Sequence, residues 1–207
     1  MPFIGNQPSA VPLTSADITD GIITSAKIAD GTIVNADINA SAAIVNSKLS
    51  GVGITESDHW RITANFVPNS SSVTVISTNW ERADGTGNGY FGTGMTQSSG
   101  VFTFPSTGYY LIDYTFCGTS ASAGYVTTGI QATTNNSSYA FVAVMNSYVS
   151  SGNVAGGCAT SQIIDVTDTA NVKIRFCTEF SQSSGAELYG NTSYTLTGAS
   201  FIRLGDT

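Results

Sequence analysis

The chain has 207 residues, of which only 10% are charged and 22 are glycine, and its formal net charge is −7. Seven Lys and Arg residues are too few for the clustered basic surface that contacts with nucleic-acid phosphates need, and they disfavour a basic membrane-binding patch for the same reason. This composition is far from that of an average cytosolic enzyme, and it favours many short strands joined by polar turns.

Residues 1–10 read MPFIGNQPSA, which lacks the basic start and the apolar run of a secretory signal. No stretch of about 18 apolar residues occurs in the chain, so insertion into a membrane is not expected. We therefore expect the protein to be assembled in a host cytoplasm and to be displayed on the surface of a viral particle, with residues 1–10 as the segment that anchors it to other virion proteins.

Residues 11–55 carry an internal repeat of ten residues, within which an apolar residue recurs at every fifth position. A spacing of five fits neither the period of a helix nor that of a strand, so each repeat must contain a turn to keep one apolar face. Asp20-Gly21 and Asp30-Gly31 are suitable turn residues. The series, with one extra residue before Ile44, is Leu13, Ile18, Ile23, Ile28, Ile33, Ile38, Ile44, Leu49 and Ile54.

A single copy of this repeat has too little apolar area to fold alone. Each five-residue unit buries one Ile or Leu, worth roughly 1.5–3 kcal/mol, whereas ordering its backbone costs roughly 5–10 kcal/mol. We predict that residues 11–58 form a thin stalk in which three copies share one axial apolar column. A single-chain pentapeptide-repeat coil, which would complete barely two turns, and a flexible linker are the alternatives.

From residue 59 the repeat gives way to alternating apolar and polar residues separated by Gly, Ser and Asn clusters, which predicts an all-β sandwich head over residues 59–207. The predicted strands are Trp60–Val67, Ser72–Thr78, Val101–Phe104, Tyr109–Cys117, Tyr125–Ala132, Tyr139–Met145, Cys158–Val166, Val172–Phe180 and Tyr194–Leu204. Alternation predicts that Tyr110, Ile112, Tyr114, Phe116, Val172, Ile174 and Phe176 face the core. It predicts that Asp113, Thr115, Cys117, Lys173, Arg175 and Cys177 face solvent or a neighbouring subunit.

Two segments of the head resemble a known family. Phe102, followed by Gly108, Tyr110, Ile112 and Tyr114, is similar to the signature of the trimeric jelly rolls of the complement globular head and tumour necrosis factor, with Ile112 in place of Phe. The segment from Leu196 to Leu204 is similar to the closing strand of that family, whereas Met95 stands where it has an upstream aromatic residue. The resemblance spans roughly residues 70–205 and implies a jelly-roll head and a homotrimer, but no particular ligand.

The short N-terminal segment and the DGTI-type repeats also resemble fibre and spike proteins of marine and cyanobacterial tailed phages. Together with the trimeric head, this resemblance implies a fibre on the tail or the capsid of a virion.

The sequence indicates no catalytic, metal or cofactor site. The only histidine, His59, is expected to be structural. The three widely spaced cysteines are expected to be buried free thiols, with one disulfide pair and a leftover thiol as the alternative. The segment from Asp165 to Asn171 has calcium-like spacing but lacks the central Gly and the distal Glu, which favours a turn. Asp113, Glu179 and Glu187 are too scattered to indicate a glycan-cleaving pair, and the glycine-rich residues 85–94 are expected to form a mobile loop.

Three loops rich in Asn, Ser, Gly and Tyr are the candidate binding surface, namely Thr133–Ser138, Asn146–Gly157 and Ser181–Ser193. The hypothesis is that the protein attaches a virus to a glycan or protein on the host cell surface. The alternatives are a decoration protein whose head only caps the trimer and an enzymatic spike. The candidate ligand-binding residues are Tyr139, Tyr148, Tyr189, Asn135, Asn136 and Asn146.

Overall fold

A computed structural model of the chain describes residues 14–39, 41–42, 44, 53–69, 72–151, 155–181 and 184–207. The chain divides into two compact units, Met1–Leu49 and Ser50–Thr207, which are called here the repeat unit and the head. The predicted anchoring segment, residues 1–10, lies outside the described residues, as do Leu13 and Leu49 of the apolar series.

The repeat unit is built from turns that recur every five residues. Three short 3-10 helices, Ser15–Asp17, Ser25–Lys27 and Asn35–Asp37, follow one another at intervals of ten residues. Within each helical turn and each turn between them, a backbone N–H donates to the carbonyl three residues earlier, as in the pairs Ile22 to Thr19 and Thr32 to Ala29. The internal turn that the five-residue spacing predicts is therefore present.

Glycine allows the turns that lie between the 3-10 helices. Gly21 and Gly31 have φ angles of 77° and 75°, in the left-handed region that residues with a side chain rarely adopt. A Cβ built on either glycine would meet nothing within 4 Å, so the requirement is conformational and does not come from crowding. This explains why Asp-Gly occurs once per ten residues in this part of the chain.

The apolar residues of the repeat unit lie on its surface. The exposed fractions of the described isoleucines of the series within this unit range from 38% for Ile28 to 54% for Ile33. Hydrogen bonds among the described residues of this unit span only two or three positions. Nothing distant in the sequence therefore packs against the turns within a single copy, as far as the described residues extend.

The described residues of the head form twelve strands, where nine or ten were predicted and nine were assigned bounds. Their bounds are β1 Ser57–Ile62, β2 Thr74–Val75, β3 Trp80–Arg82, β4 Thr96–Ser98, β5 Val101–Thr103, β6 Gly108–Thr119, β7 Gly124–Thr133, β8 Ala140–Val149, β9 Gly156–Val166, β10 Lys173–Phe180, β11 Glu187–Leu188 and β12 Gly198–Gly205.

The strands form two antiparallel sheets that pack as a jelly-roll sandwich, which confirms the predicted fold class. In the first sheet the order is β9-β6-β12-β1-β3, and β11 pairs with the end of β6 on the side of β12. In the second sheet the order is β4-β5-β10-β7-β8, and β2 pairs with the end of β10. Among the described residues, β9 pairs only with β6 and β8 only with β7, so both are long edge strands.

Aromatic rings fill the space between the sheets. Phe176 of β10 packs against Trp80, Phe102 and Tyr114, with ring centroids 4.6–5.4 Å apart. Phe102 in turn makes an edge contact with Trp60 at 5.5 Å. All seven residues that were predicted to face the core from β6 and β10 are at most 3% exposed. The alternation in the sequence therefore identified the core faces of these two strands.

One residue on the predicted outer side is buried. Cys177 was expected to face solvent or a neighbouring subunit, but it is fully buried, and its cross-strand neighbours are Val75 of β2 and Gly129 of β7. Burial raises the pKa of the Cys177 thiol to about 11. The prediction was wrong because the short strand β2 brings Val75 alongside Cys177, whereas alternation along β10 says nothing about what covers its outer side.

Candidate functional site

The outer face of the second sheet, formed by the outward side chains of β7, β8 and β10, carries an exposed pair of tyrosines at one end. Tyr125 of β7 and Tyr148 of β8 are cross-strand neighbours, 63% and 58% exposed, and their rings meet edge to face with centroids 5.6 Å apart. Next to them, the Thr127 hydroxyl donates to the Asn146 amide oxygen at 2.6 Å. Two flat rings beside polar groups form a surface suited to a polar ligand with apolar faces, such as a sugar.

The other end of the same outer face carries positive charge. Lys173 and Arg175 lie two positions apart on β10, and Arg175 stacks on the Tyr139 ring with 4.1 Å between its central carbon and the ring centroid. Arg175 Nε donates to Gln131 Oε1 at 2.8 Å, and Lys173 Nζ donates to the Thr103 hydroxyl at 3.0 Å. Partial burial raises the pKa of Tyr139, an effect that the Arg175 charge opposes.

Asn135 and Asn136, two of the predicted binding residues, shape the connection between β7 and β8. The Asn135 side-chain oxygen accepts hydrogen bonds from the backbone N–H groups of Ser137 and Ser138 at 3.0 and 2.9 Å. Asn136 has a φ of 53° and donates its N–H to the Asn171 carbonyl. The oxygen of Asn135 already accepts bonds within the turn, so it is less available to a ligand than an unbonded amide.

The six predicted residues do not form one site. Asn146 and Tyr148 share the tyrosine end of the outer face, whereas Tyr139 lies at its cationic end. Tyr189 directly follows β11 of the first sheet, is half-buried, and donates its N–H to the Cys117 carbonyl. The structure thus assembles part of the predicted set, while Tyr125, Lys173 and Arg175 join that surface from outside it.

A buried carboxylate organises the first sheet near its edge. Asp58, 4% exposed, accepts hydrogen bonds from the Trp60 indole, from the Met95 backbone N–H and from Arg82 Nε, at 2.7–2.9 Å. Arg82 also lies over the ring of Tyr90 at 4.2 Å. Because these donors come from β1, from β3 and from the segment before β4, we interpret this cluster as a structural link between the three.

His59 points to the other side of β1, where it is held by two hydroxyls. Its ring nitrogens lie 2.8 Å from the Ser200 and Thr195 hydroxyl oxygens. Burial is the main cause that lowers the His59 pKa, and the nearby Arg61 charge adds to this effect while Asp58 opposes it. No carboxylate contacts the ring among the described residues, so this arrangement fits the predicted structural role and not a catalytic triad.

The acidic residues of the head are also placed for structure. Asp168 accepts bonds from the Ala170 N–H and the Asn171 side chain in the turn between β9 and β10, as the sequence predicted. Asp113 and Glu179 project from the outer faces of different sheets. Within the described ranges, no group of three or more His, Cys, Asp or Glu side chains is placed to hold a metal ion.

Cys117, Cys158 and Cys177 are free thiols, as predicted, but only Cys177 is buried, whereas Cys117 and Cys158 are partly exposed. The gap lined by Asp58, Met95 and Tyr110 has no room for a water molecule. None of the helices in the described part of the chain is long and apolar enough to cross a membrane.

Comparison with solved structures supports a jelly-roll fold for this chain. The crystal structure of murine APRIL at pH 5.0 is 12% identical, with a TM-score of 0.53, and the match covers 72% of this chain and 98% of that chain. Eiger TNF from S. frugiperda is 12% identical at a TM-score of 0.48, over 73% of this chain and 93% of its own. Vertex protein P5 of PRD1 is 13% identical at a TM-score of 0.46, over 73% of this chain and 98% of its own.

The similarity to APRIL supports the predicted jelly roll and nothing finer, and the two weaker similarities are too low to carry an argument. No protein-family model and no curated protein sequence matches the chain. Function must therefore be argued from the surfaces of this chain.

The residues that sequence reasoning missed lie on regular strands. Tyr125 was assigned to a predicted strand, and its pairing with Tyr148 depends on the register of β7 and β8. Lys173 and Arg175 were assigned to an outer face without any function. Their alternation with Val172, Ile174 and Phe176 was visible in the sequence, and it was the signal that could have identified them as neighbours.

Proposed function

We propose that this chain is a subunit of a homotrimeric viral fibre or spike, in which the repeat unit forms the stalk and the jelly-roll head attaches the particle to the host cell surface. The observation that carries the proposal is the exposure of a regularly spaced apolar series in the repeat unit. Each described isoleucine of that series in the repeat unit is 38–54% exposed, and copies that packed together in register would bury this apolar surface.

Assembly of several copies is supported by the geometry of a single repeat. A concavity of about 320 Å³ is lined by Ser25, Ile28, Ala29, Asp30, Gly31 and Ile33. Because the turns recur at the same interval as the isoleucines, a parallel neighbour in register would meet such a concavity with an isoleucine at each repeat.

A binding role is supported by the outer face of the second sheet. It offers exposed tyrosine rings, hydroxyls and amides, with no paired carboxylates among the described residues that face each other across a cleft. Three copies of such a surface on one particle would raise the avidity of weak contacts by roughly 10²–10⁴. We accordingly propose binding to the host surface and not catalysis.

The test compares particles that carry the full chain with particles that carry a chain lacking residues 59–207. Adsorption to host cells should be lost with the shortened chain while particle yield and the incorporation of the stalk remain normal. Normal adsorption by particles with shortened chains would refute attachment and select a decoration protein whose head only caps the trimer. Release of sugar fragments from host envelope by purified full-length protein would instead select an enzymatic spike.

A further inference from the structure

The positive charges of the head divide into two groups according to their partners. Arg61, Arg82 and Arg203 each form an ion pair with at least one aspartate, namely Asp84, Asp58 and Asp206 respectively. Lys173 and Arg175 form no ion pair with any described residue. The head thus keeps two unpaired cations next to each other, although the whole chain has a formal net charge of −7.

These two cations project from the same face of one strand. Two positions along a strand are separated by about 6.6 Å, so the two charged groups can reach the same ligand. Their cross-strand neighbours are mostly polar: Lys173 pairs with Thr103 and Thr133, while Arg175 pairs with Gln131 on β7 and with Val101 on β5. A local positive surface with hydroxyl and amide neighbours is therefore built into the regular sheet and does not depend on a loop.

Arg175 is fixed in place with donors to spare. The Tyr139 ring holds one face of its guanidinium, and the Gln131 side-chain oxygen holds Nε. A side-chain hydrogen bond also joins Arg175 to Cys177, which uses a further N–H group of the guanidinium. The remaining N–H groups donate to no described oxygen. A stacked guanidinium that keeps such donors can bind a carboxylate or a phosphate.

The surface next to this pair is suited to a sugar chain as the bearer of the acidic group. The same face continues through the Thr127 hydroxyl and the Asn146 amide to the exposed rings of Tyr125 and Tyr148. Between the two ends lie the exposed Val144 side chain, opposite Gly129, and the Glu179 carboxylate, opposite Thr127, so the acidic group is expected at the cationic end. Six positions along β7 span about 20 Å, a distance that an extended polysaccharide can cover.

We propose that Lys173 and Arg175 bind the acidic group of an anionic polysaccharide, with the tyrosine end of the same face contacting its sugar rings. This inference rests on the proposed attachment function and specifies its ligand. The acidic group is a carboxylate or a phosphate, which Arg175 binds with its terminal nitrogens and Lys173 with its ammonium.

The test measures binding of the full-length protein to immobilised polymers. The carboxylate probe is polygalacturonate and its neutral counterpart is the fully methyl-esterified polymer. The phosphate probe is a phosphomannan and its counterpart is a neutral mannan, while poly-L-glutamate serves as an acidic polypeptide. Wild type should bind at least one of the two acidic polysaccharides, more weakly as salt rises, and should bind the neutral counterparts and poly-L-glutamate at least about tenfold more weakly.

Two double variants provide the matched comparison. Lys173→Gln with Arg175→Gln should weaken binding to the acidic polysaccharide roughly tenfold or more, because two charge-assisted contacts are lost. Lys27→Gln with Lys48→Gln removes the same two charges from the repeat unit and should leave binding within about twofold. Both take the formal net charge from −7 to −9. Arg175→Lys keeps the charge but loses the guanidinium donors, so its binding should fall between that of wild type and that of the head variant.

Several outcomes would overturn the inference. These are no binding to either acidic polysaccharide, equal binding to the neutral polymers, equal loss in both double variants, or binding to poly-L-glutamate as tight as to polygalacturonate. Adsorption of particles separates this inference from the attachment function itself. Particles with the head double variant that adsorb normally would refute the cationic site alone, whereas particles lacking residues 59–207 that adsorb normally would refute attachment.

Discussion

The two units of this chain use the same apolar residue in opposite ways. In the head, Ile112, Ile130 and Ile174 are fully buried between the sheets, whereas Ile23 and Ile33 of the repeat unit are 53% and 54% exposed. In the head, strand pairing joins residues more than a hundred positions apart in the sequence. In the described part of the repeat unit, hydrogen bonds join residues only two or three positions apart. A single copy therefore contains the partners that the head needs but not those that the repeat unit needs.

The largest expected effect is on the repeat unit. Ile23→Asn with Ile33→Asn should prevent stable trimer formation, because each buried isoleucine contributes roughly 1.5–3 kcal/mol and a trimer would lose six of them. Sedimentation velocity at decreasing concentration measures the assembly state. Thr24→Asn with Thr32→Asn introduces the same amides at exposed polar positions and should leave the mass unchanged. A trimer that survives the isoleucine changes would contradict the shared apolar column.

The core of the head provides the next test of the comparison. Phe176→Ala should lower the free energy of unfolding by about 3–5 kcal/mol, because it leaves a cavity against Trp80, Phe102 and Tyr114. Phe141→Ala is the control, since Phe141 is 37% exposed, and should cost less than about 1 kcal/mol. Denaturant unfolding followed by tryptophan fluorescence measures both. Equal losses would mean that the sandwich is not closed around Phe176.

The long-range polar contacts of the head can be weakened separately. Asp58→Asn should cost roughly 1.5–3 kcal/mol, because the Arg82 ion pair and the bonds from Trp60 and Met95 lose their ionic acceptor. Asp206→Asn removes a carboxylate that is 92% exposed, so it should cost less than about 1 kcal/mol. Urea unfolding of the two variants makes the comparison. A larger loss from Asp206→Asn would reverse the ranking of buried and exposed ion pairs.

The smallest expected effect is a pH dependence of the head. Because the His59 pKa is lowered in the folded state, the unfolded chain binds more protons near the ordinary histidine pKa of about 6.5. The contribution of His59 to the free energy of unfolding is therefore fully present above that pH and decreases as the pH falls below it. His59→Gln should flatten the dependence of unfolding free energy on pH between about 5.5 and 8. Identical slopes for wild type and variant would contradict the burial of a neutral ring.

The sequence predicted the sandwich because period-two alternation is strong where strands are long. β6, β7, β9 and β10 were all identified within a few residues of their ends. The short strands β3, β4 and β11 were missed because two or three residues are too few to show alternation. They form by pairing with a neighbouring strand of the sheet, which their own sequence does not reveal. The segment Tyr194–Thr197, predicted as strand, precedes β12, which begins at Gly198.

The candidate site was harder to predict because it depends on register. Loop composition pointed to Asn135, but that side chain binds its own turn. Tyr125 and Tyr148 become a pair only when β7 and β8 align, and the extra residue at the bulge between Ile130 and Gln131 sets which side chains meet beyond it. Arg175 acquires its stacking partner from outside β10 altogether. Alternation within one strand predicts which of its side chains share a face of the sheet. Which side chains from other strands lie beside them on that face depends on how the strands pair.

The two long edge strands of the head have a consequence for how the protein must be handled. Among the described residues β9, which is rich in small residues and has no bulge in its pairing with β6, uses only one side for strand pairing, and β8 lies alongside its other side without pairing to it. Such an edge can template the strand of another molecule in the wrong orientation. Fibrillar aggregates should then compete with correct assembly whenever head domains accumulate faster than they associate. Expression conditions that slow synthesis should therefore increase the yield of soluble protein.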